Sequence, residues 1–375
     1  MPFQGRGHGF ESHPGYRKHS RTPEFSSSRG ASKILGIHLG IHFRERPVPA
    51  VQNVSVCLRL VLPMLVVWAA CTNAGPGVPP SSVSAAAPSP SPGLTYVATP
   101  WTAVAPLGLP RAHLGAVALG GAIYAIGGQL PATVASASST AVERYDVALN
   151  AWTRSPDLPG ATDHAAVTAS AASIFVFGGD FAAPSAVSYR FEIATSTWTA
   201  VTKLPEPRAA GGAAALGDRI YVVGGFGTDR RELPQAYAYD PLGDRYERIP
   251  DLPTPREHLA VVAYRGAVCT IGGHLGNADQ TTLVECYDPV VRRWSSRPPL
   301  PRRASDFDAV VVGDEIWAVG DDVQVFDGSR WSLGPRLPTP RFGVAAAVLG
   351  RALYVIGGAA RTQASPGVVE RLDHP

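Results

Sequence analysis

The chain is poor in cysteine, with four among 375 residues. Four cysteines do not make a disulfide framework, so stability must come from a packed core. Excess charge is also scarce: 33 Lys and Arg against 30 Asp and Glu leave a net charge of +3. No long basic run accompanies it, which removes the case for nucleic acid as a partner. No arrangement of residues resembles a nucleophile triad or a phosphate-binding loop. The main apolar run, Leu60 to Trp68, is too short to span a bilayer, which takes about 20 residues. What is abundant is 39 glycines, 35 prolines and 45% hydrophobic residues. That composition suits a large core joined by many turns.

The turns fall in a repeat. Gly120-Gly121-Ala122-Ile123-Tyr124-Ala125-Ile126-Gly127-Gly128 reads as a turn, a short apolar strand and a double glycine. The phrase returns at Ser173–Gly179, Asp218–Gly225, Gly266–Gly273, Gly313–Asp321 and Gly350–Gly358. After each comes a variable loop and a strand ending in an aromatic–acid pair: Tyr145-Asp146, Phe191-Glu192, Tyr239-Asp240, Tyr287-Asp288 and Phe326-Asp327, weakened to Leu372-Asp373 in the sixth unit. A large aromatic follows, at Trp152, Trp198, Tyr246, Trp294 and Trp331, then a proline-rich turn. Self-similarity at this period marks a propeller or solenoid. Bare Gly-Gly pairs after strands lack the rest of any nucleotide fingerprint.

Six copies in register, across residues 96 to 373, resemble the kelch repeat. The resemblance implies an all-β, six-bladed β-propeller with four-stranded antiparallel blades. The sixth unit stops before its aromatic strand, while a spare strand around Trp101 precedes the first. The ring is therefore expected to close through this N-terminal strand, which protects sheet edges that would otherwise invite association. Copper-radical oxidases also carry kelch propellers, but no counterpart of their Tyr/His/Cys copper site is evident.

Ahead of the propeller, residues 1–53 lack any sustained period and read as a disordered extension or a mis-assigned start. Residues 54–71 carry Arg59, an apolar core and Ala69-Ala70 before Cys71, the grammar of a secretory signal. The segment resembles a bacterial lipoprotein signal, which implies lipidation at Cys71, although Trp68 replaces the usual aliphatic residue. Residues 72–93 are an uncharged Pro/Ser/Ala-rich tether, and 94–375 form the propeller. The expected protein is an exported monomer whose only membrane association is a lipid anchor; the alternative is a periplasmic or secreted one.

Two sets of repeat positions bear on function. The Pro-Arg connections supply Arg111, Arg208, Arg256, Arg303 and Arg341, with Thr162 in the second unit. They are read as a ring at the channel mouth, either gripping a carboxylate through guanidinium forks or bonding carbonyls and acids of the next blade. Fourteen residues before each double glycine stand His113, His164, Ala210, His258, Asp306 and Gly343. Histidine and aspartate suit metals, but a ring position sets neighbours well apart. Hydrogen bonding is the expected role, and no metal or other cofactor is expected. Cys269 and Cys286 lie on neighbouring strands, where a bridge is open. The short fifth loop is expected to leave one side of the face low.

The first functional reading is a non-catalytic recognition module of the cell envelope. It would bind a protein or glycan through the face bearing the Pro-Arg and post-Gly-Gly loops. A protein binder would expose apolar loop residues such as Leu130, Phe226 and Leu275. The alternative is an enzyme similar to bacterial sialic-acid mutarotases, for which His113, His258 and Asp306 are the acid/base candidates.

Overall fold

A computed structural model of the chain describes residues 100–131, 137–276, 279–360, 367–373 and 375. The expectations for residues 1–53, for the signal ending at Cys71 and for the tether at 72–93 fall outside these residues. No described segment is helical.

Six four-stranded antiparallel sheets form the blades. Blade 1 comprises Gly115–Leu119, Ala122–Ile126, Val142–Asp146 and Ala151–Arg154; blade 2 comprises Ala166–Ser170, Ser173–Phe177, Ser188–Glu192 and Thr197–Val201. Blade 3 comprises Ala209–Leu216, Arg219–Phe226, Ala236–Asp240 and Arg245–Ile249; blade 4 comprises Ala260–Tyr264, Ala267–Ile271, Val284–Asp288 and Arg293–Ser296. Blade 5 comprises Asp308–Val312, Glu315–Val319, Val323–Phe326 and Trp331–Leu333. Blade 6 comprises Ala345–Leu349, Ala352–Ile356 and Val369–Asp373, completed by Trp101–Val104, whose Trp101 lies opposite Leu372. The N-terminal strand closes the ring.

The strand ending in Gly-Gly is buried on both faces in each blade, which explains its unbroken apolar character. The double glycine is required by crowding. At Gly178 φ is +62°, and an added Cβ would lie 2.4 Å from the Arg208 carbonyl oxygen of the next connection. The acid of the aromatic–acid pair closes the following turn: Asp146 Oδ1 accepts the backbone N–H groups of Ala148 and Leu149, and Asp240 Oδ1 accepts those of Leu242 and Gly243.

Outer-strand tryptophans tie each blade to the one before. Trp101 donates to Pro335 O at 2.9 Å, Trp198 to Pro156 O at 2.9 Å, Trp294 to Pro250 O at 2.8 Å and Trp331 to Pro298 O at 3.0 Å. In blade 3, where Tyr246 replaces tryptophan, its hydroxyl meets Ser188 Oγ at 3.2 Å. Cys269 and Cys286 stand directly opposite on paired strands of blade 4 and form a disulfide.

Candidate functional site

Of the two readings of the Pro-Arg positions, the carboxylate grip at the channel mouth fails, and bonding to carbonyls and acids of the blade that follows holds for Arg111, Arg208, Arg256 and Arg341. Arg111, Arg256 and Arg341 are 0% exposed and Arg208 is 1% exposed, so their guanidinium groups cannot grip a ligand on the open face. Each is spent inside its own blade. Arg341 donates to the carbonyls of Gly357, Thr339 and Val355 and to Glu370 Oε2 at 2.7 Å. Arg256 makes the equivalent set with Gly272, Thr254, Thr270 and Glu285, and Arg111 pairs with Glu143 at 2.6 Å. Arg208 lacks that glutamate and instead lies over the Tyr237 ring, 5.6 Å from its centroid.

Arg303 is exposed because it is one residue out of register. The Gly273 N–H bonds Ala304 O, as the Gly225 N–H bonds Arg256 O, so Ala304 occupies the arginine's place in blade 5. The signal was in the sequence. Where the third strand has Glu two residues before its aromatic position (Glu143, Glu285, Glu370), the connection has a buried arginine; blade 5 has Gln324 there.

The other set of repeat positions builds the site. His113, His164, Ala210, His258, Asp306 and Gly343 all adopt left-handed backbone, with φ between 50° and 61°. Each N–H bonds the carbonyl of the equivalent residue in the preceding blade. His164 N reaches His113 O at 3.0 Å, Ala210 N reaches His164 O at 2.8 Å and His258 N reaches Ala210 O at 2.8 Å. Asp306 N reaches His258 O at 3.2 Å, Gly343 N reaches Asp306 O at 2.6 Å, and His113 N returns to Gly343 O at 2.7 Å. The six bonds form a closed circle about the axis.

That circle is tighter than expected. The His113 and His164 rings stack with centroids 3.9 Å apart, and His258 lies 5.0 Å from His164 and 5.9 Å from His113. The expectation that neighbours stand well apart fails because a direct backbone hydrogen bond joins adjacent positions, drawing the six residues together.

The histidines mark a neck. Below it runs a channel of about 410 Å³ walled mainly by small residues of the inner strands; above it opens a mouth of about 440 Å³. The mouth is walled by Phe181, Phe226, Arg230, Glu232, Glu257 and His274 from the blade 2, 3 and 4 loops and connections. Three residues separate Val319 from Val323 in blade 5, so no wall rises there. Phe226 is 4% exposed and packs edge-on against Phe181, which is 37% exposed. The Arg230 guanidinium lies 4.7 Å from the Phe181 centroid and 4.9 Å from that of Phe226. Leu130 and Leu275 are half-buried, so the broad apolar face of a protein binder is not formed by these residues.

Carboxylates back the imidazoles. Asp163 Oδ1 accepts from His164 Nδ1 at 2.6 Å and from the Phe181 N–H at 2.9 Å, and Oδ2 accepts from Ser138 Oγ at 2.8 Å. Burial opposes the Asp163 charge, but these bonds and the neighbouring imidazole hold its pKa down to about 2. Glu257 bridges two histidines, contacting His258 Nδ1 and, at 3.0 Å, His274 Nδ1. Ser305 Oγ meets His274 Nε2 at 2.7 Å and donates to Asp306 Oδ2 at 2.8 Å. Asp306 Oδ1 lies 3.4 Å from His258 Nε2 and 4.0 Å from His113 Nδ1.

Burial first, then the neighbouring imidazoles, push His113 down to about 3, and the same causes push His258 well below the usual histidine range. Both are neutral at pH 7 and can accept or donate hydrogen bonds. The structure thus brings the three acid/base candidates, His113, His258 and Asp306, together. Their partners His164, His274, Asp163 and Glu257 were missing from that set; Asp163-His164 and Glu257-His258 are adjacent pairs in the sequence, which was the available signal.

The fold and site define a six-bladed propeller with a polar, histidine-lined mouth. Residues 113–320 match the family described as the KLHDC2/KLHL20/DRC7 Kelch-repeats domain, and the chain belongs to the kelch-repeat family. Over 81 residues it is 46% identical to Kelch domain-containing protein 7A of Mus musculus, a match covering 21% of this chain and 9% of that protein. The chain therefore spans under a tenth of that relative's length. The fold is also similar to the solved structure of YjhT, with a TM-score of 0.61 and 16% identity over 71% of this chain and 96% of the other. At that identity the likeness concerns the fold alone.

Proposed function

We propose that the propeller is a recognition module that binds an acidic sugar unit of an envelope glycan in its mouth. The observation that carries this reading is the Phe181–Phe226–Arg230 wall above a floor of imidazoles. The exposed Phe181 ring offers a surface for sugar C–H groups, Arg230 a cation for a carboxylate, and the floor adjustable donors and acceptors for hydroxyls. A volume of about 440 Å³ suits a small-molecule site. A thermal-shift screen of the chain against acidic and neutral sugars tests it. An acidic sugar at 100 times its dissociation constant should add roughly 2.7 kcal/mol of stability. The shift should vanish in Arg230→Ala and weaken in Phe181→Ala. No shift with any acidic sugar, or one indifferent to both substitutions, overturns the reading.

A second reading, a sugar mutarotase or epimerase, is favoured by the neutral His258 imidazole set between Glu257 and Asp306. A neutral imidazole beside carboxylates can take the proton of the anomeric hydroxyl while one is delivered to the ring oxygen as the C1–O bond opens, and the reverse transfers close the ring on the other face. Anomeric exchange faster than the uncatalysed rate, lost in Asp306→Asn, would establish it; exchange at the uncatalysed rate would exclude it for the sugars tried.

We further propose export and a lipid anchor at Cys71. The Cys269–Cys286 bridge supports this, because disulfides persist in oxidising compartments. Incorporation of labelled fatty acid, lost in Cys71→Ser, is the expected result; an unlabelled, cytoplasmic chain would refute it.

A further inference from the structure

We propose that His113, His164 and His258 together hold one divalent first-row transition-metal ion at the neck of the channel. One nitrogen from each ring lies within 4.8 Å of the others. Around an ion with bonds of roughly 2.1 Å, tetrahedral nitrogens stand about 3.4 Å apart. Closure therefore asks the three nitrogens to draw together, a change that side-chain rotation can supply.

The backbone at these positions does not need the imidazoles. Ala210 and Gly343 hold the same left-handed conformation, at φ of 54° and 61°, and the same hydrogen bonds in the circle. Three of six equivalent positions nonetheless carry histidine, and their rings gather at one neck. Hydrogen bonding that shapes the fold is thus performed by the main chain, which leaves the side chains for another role.

The surroundings are those of a metal centre. The Asp163 carboxylate can only accept, so it takes the hydrogen bond of His164 Nδ1 and leaves Nε2 as the ring nitrogen open to a ligand. Glu257 also stands against His258 Nδ1, so that Nε2 is the nitrogen nearer Asp306 Oδ1. Asp306 Oδ1, 3.4 Å from His258 Nε2 and 4.0 Å from His113 Nδ1, is within reach as a fourth ligand. The mouth keeps the outer side open to water or a ligand. Three imidazoles and a carboxylate suit Zn(II), Cu(II), Ni(II) or Co(II) better than Mg(II) or Ca(II), which prefer all-oxygen sets.

The test uses the full chain, stripped with a chelator, titrated with ZnCl₂ by calorimetry and with CoCl₂ by visible absorption. One site per chain is expected, with a dissociation constant below about 1 μM and the strong d–d bands of four-coordinate Co(II). His113→Gly, His164→Gly and His258→Gly imitate Gly343 and so keep the backbone conformation. Each should weaken Zn(II) by more than about 100-fold, since loss of a carboxylate partner alone costs 10–100-fold. Thermal unfolding of each variant confirms that it is folded.

No Zn(II) binding up to about 1 mM overturns the proposal. So does binding that survives the three glycine variants, as it would on the five histidines of residues 1–53. Loss in His274→Gln with retention in His113→Gly would move the ion to the alternative Glu257–His258–His274 cluster and also refute it. The outcome is separable from sugar recognition, because the sugar test reads Phe181→Ala and Arg230→Ala, which leave the three imidazoles in place.

Discussion

Arg256 and Glu285 form an ion pair with side chains 0% and 7% exposed. Removing one member of such a pair strands the other, at a cost of about 3–5 kcal/mol. Arg256→Ala is expected to destabilise the protein by that amount in denaturant unfolding. Arg303→Ala, at an exposed site, should stay within about 0.5 kcal/mol. Equal losses would refute the assignment of Ala304 to the buried position. The sequence showed all five arginines in similar Pro-Arg contexts. Their fates part through partners on other strands: Glu143, Glu285 and Glu370 hold three of the buried arginines, the Tyr237 ring faces Arg208, and Ala304 takes the buried place beside Arg303. The neck was hidden for a related reason: repeat spacing gives equivalence between blades but not the radius of the circle, which the backbone hydrogen bonds set.

Two channel residues titrate in opposite senses. Burial raises Asp308 to about 6, against the N–H groups of Ala346 and Ala309 that favour its charge. Its folded pKa lies above the unfolded value, so its contribution to stability is full below about pH 4 and is lost as pH rises through about 6. His113, depressed from 6.5 to about 3, contributes above pH 6.5, and that contribution is lost as pH falls toward 3. The stability difference between wild type and Asp308→Asn should therefore shrink on raising pH across that interval. The difference between wild type and His113→Gly should shrink on lowering it. Denaturant unfolding at several pH values checks both signs, and trends of the same sign would refute them.

Among the elements, the strand Trp101–Val104 is the least local: it pairs with Val369–Asp373 at the far end of the chain. Its place was legible because the repeat was short of one aromatic strand and had one to spare. Trp101 is 6% exposed and bonded to Pro335. Trp101→Ala should lower stability by about 3–5 kcal/mol, seen as a depressed melting temperature. Blade 4 carries the other long-lived tie. Reducing the Cys269–Cys286 bridge, 17 residues apart in sequence, should cost up to about 3 kcal/mol, with no matching loss in a Cys269→Ala/Cys286→Ala variant on adding reductant. The pairing was open in the sequence because strand neighbours were clear but side-chain faces were not; register settles it.

For the molecule as a whole, closure decides solubility as well as stability. Deleting the chain through Pro106 would leave Val369–Asp373 as an open edge beside a buried apolar surface. Such a chain is expected to self-associate, which sedimentation would show as concentration-dependent oligomers; a monodisperse monomer would contradict it. The six-fold architecture itself was readable before any coordinates, because each unit repeats turn, strand and punctuation in the same order. Of the mouth only the low side at the short fifth loop was readable, because its walls come from loops that differ from blade to blade.

The circle of main-chain bonds at the neck works like a combination lock. Six wheels, each set to His, His, Ala, His, Asp or Gly, turn on one rigid spindle. Because the spindle is made of peptide groups common to every residue with an N–H, trimming a wheel leaves the spindle in place, whereas enlarging Gly343 would drive a Cβ to 2.8 Å from the His113 ring. Reactivity at the axis can thus be rewritten at the wheels that carry side chains, while Gly343 is held blank by the His113 ring that fills its space.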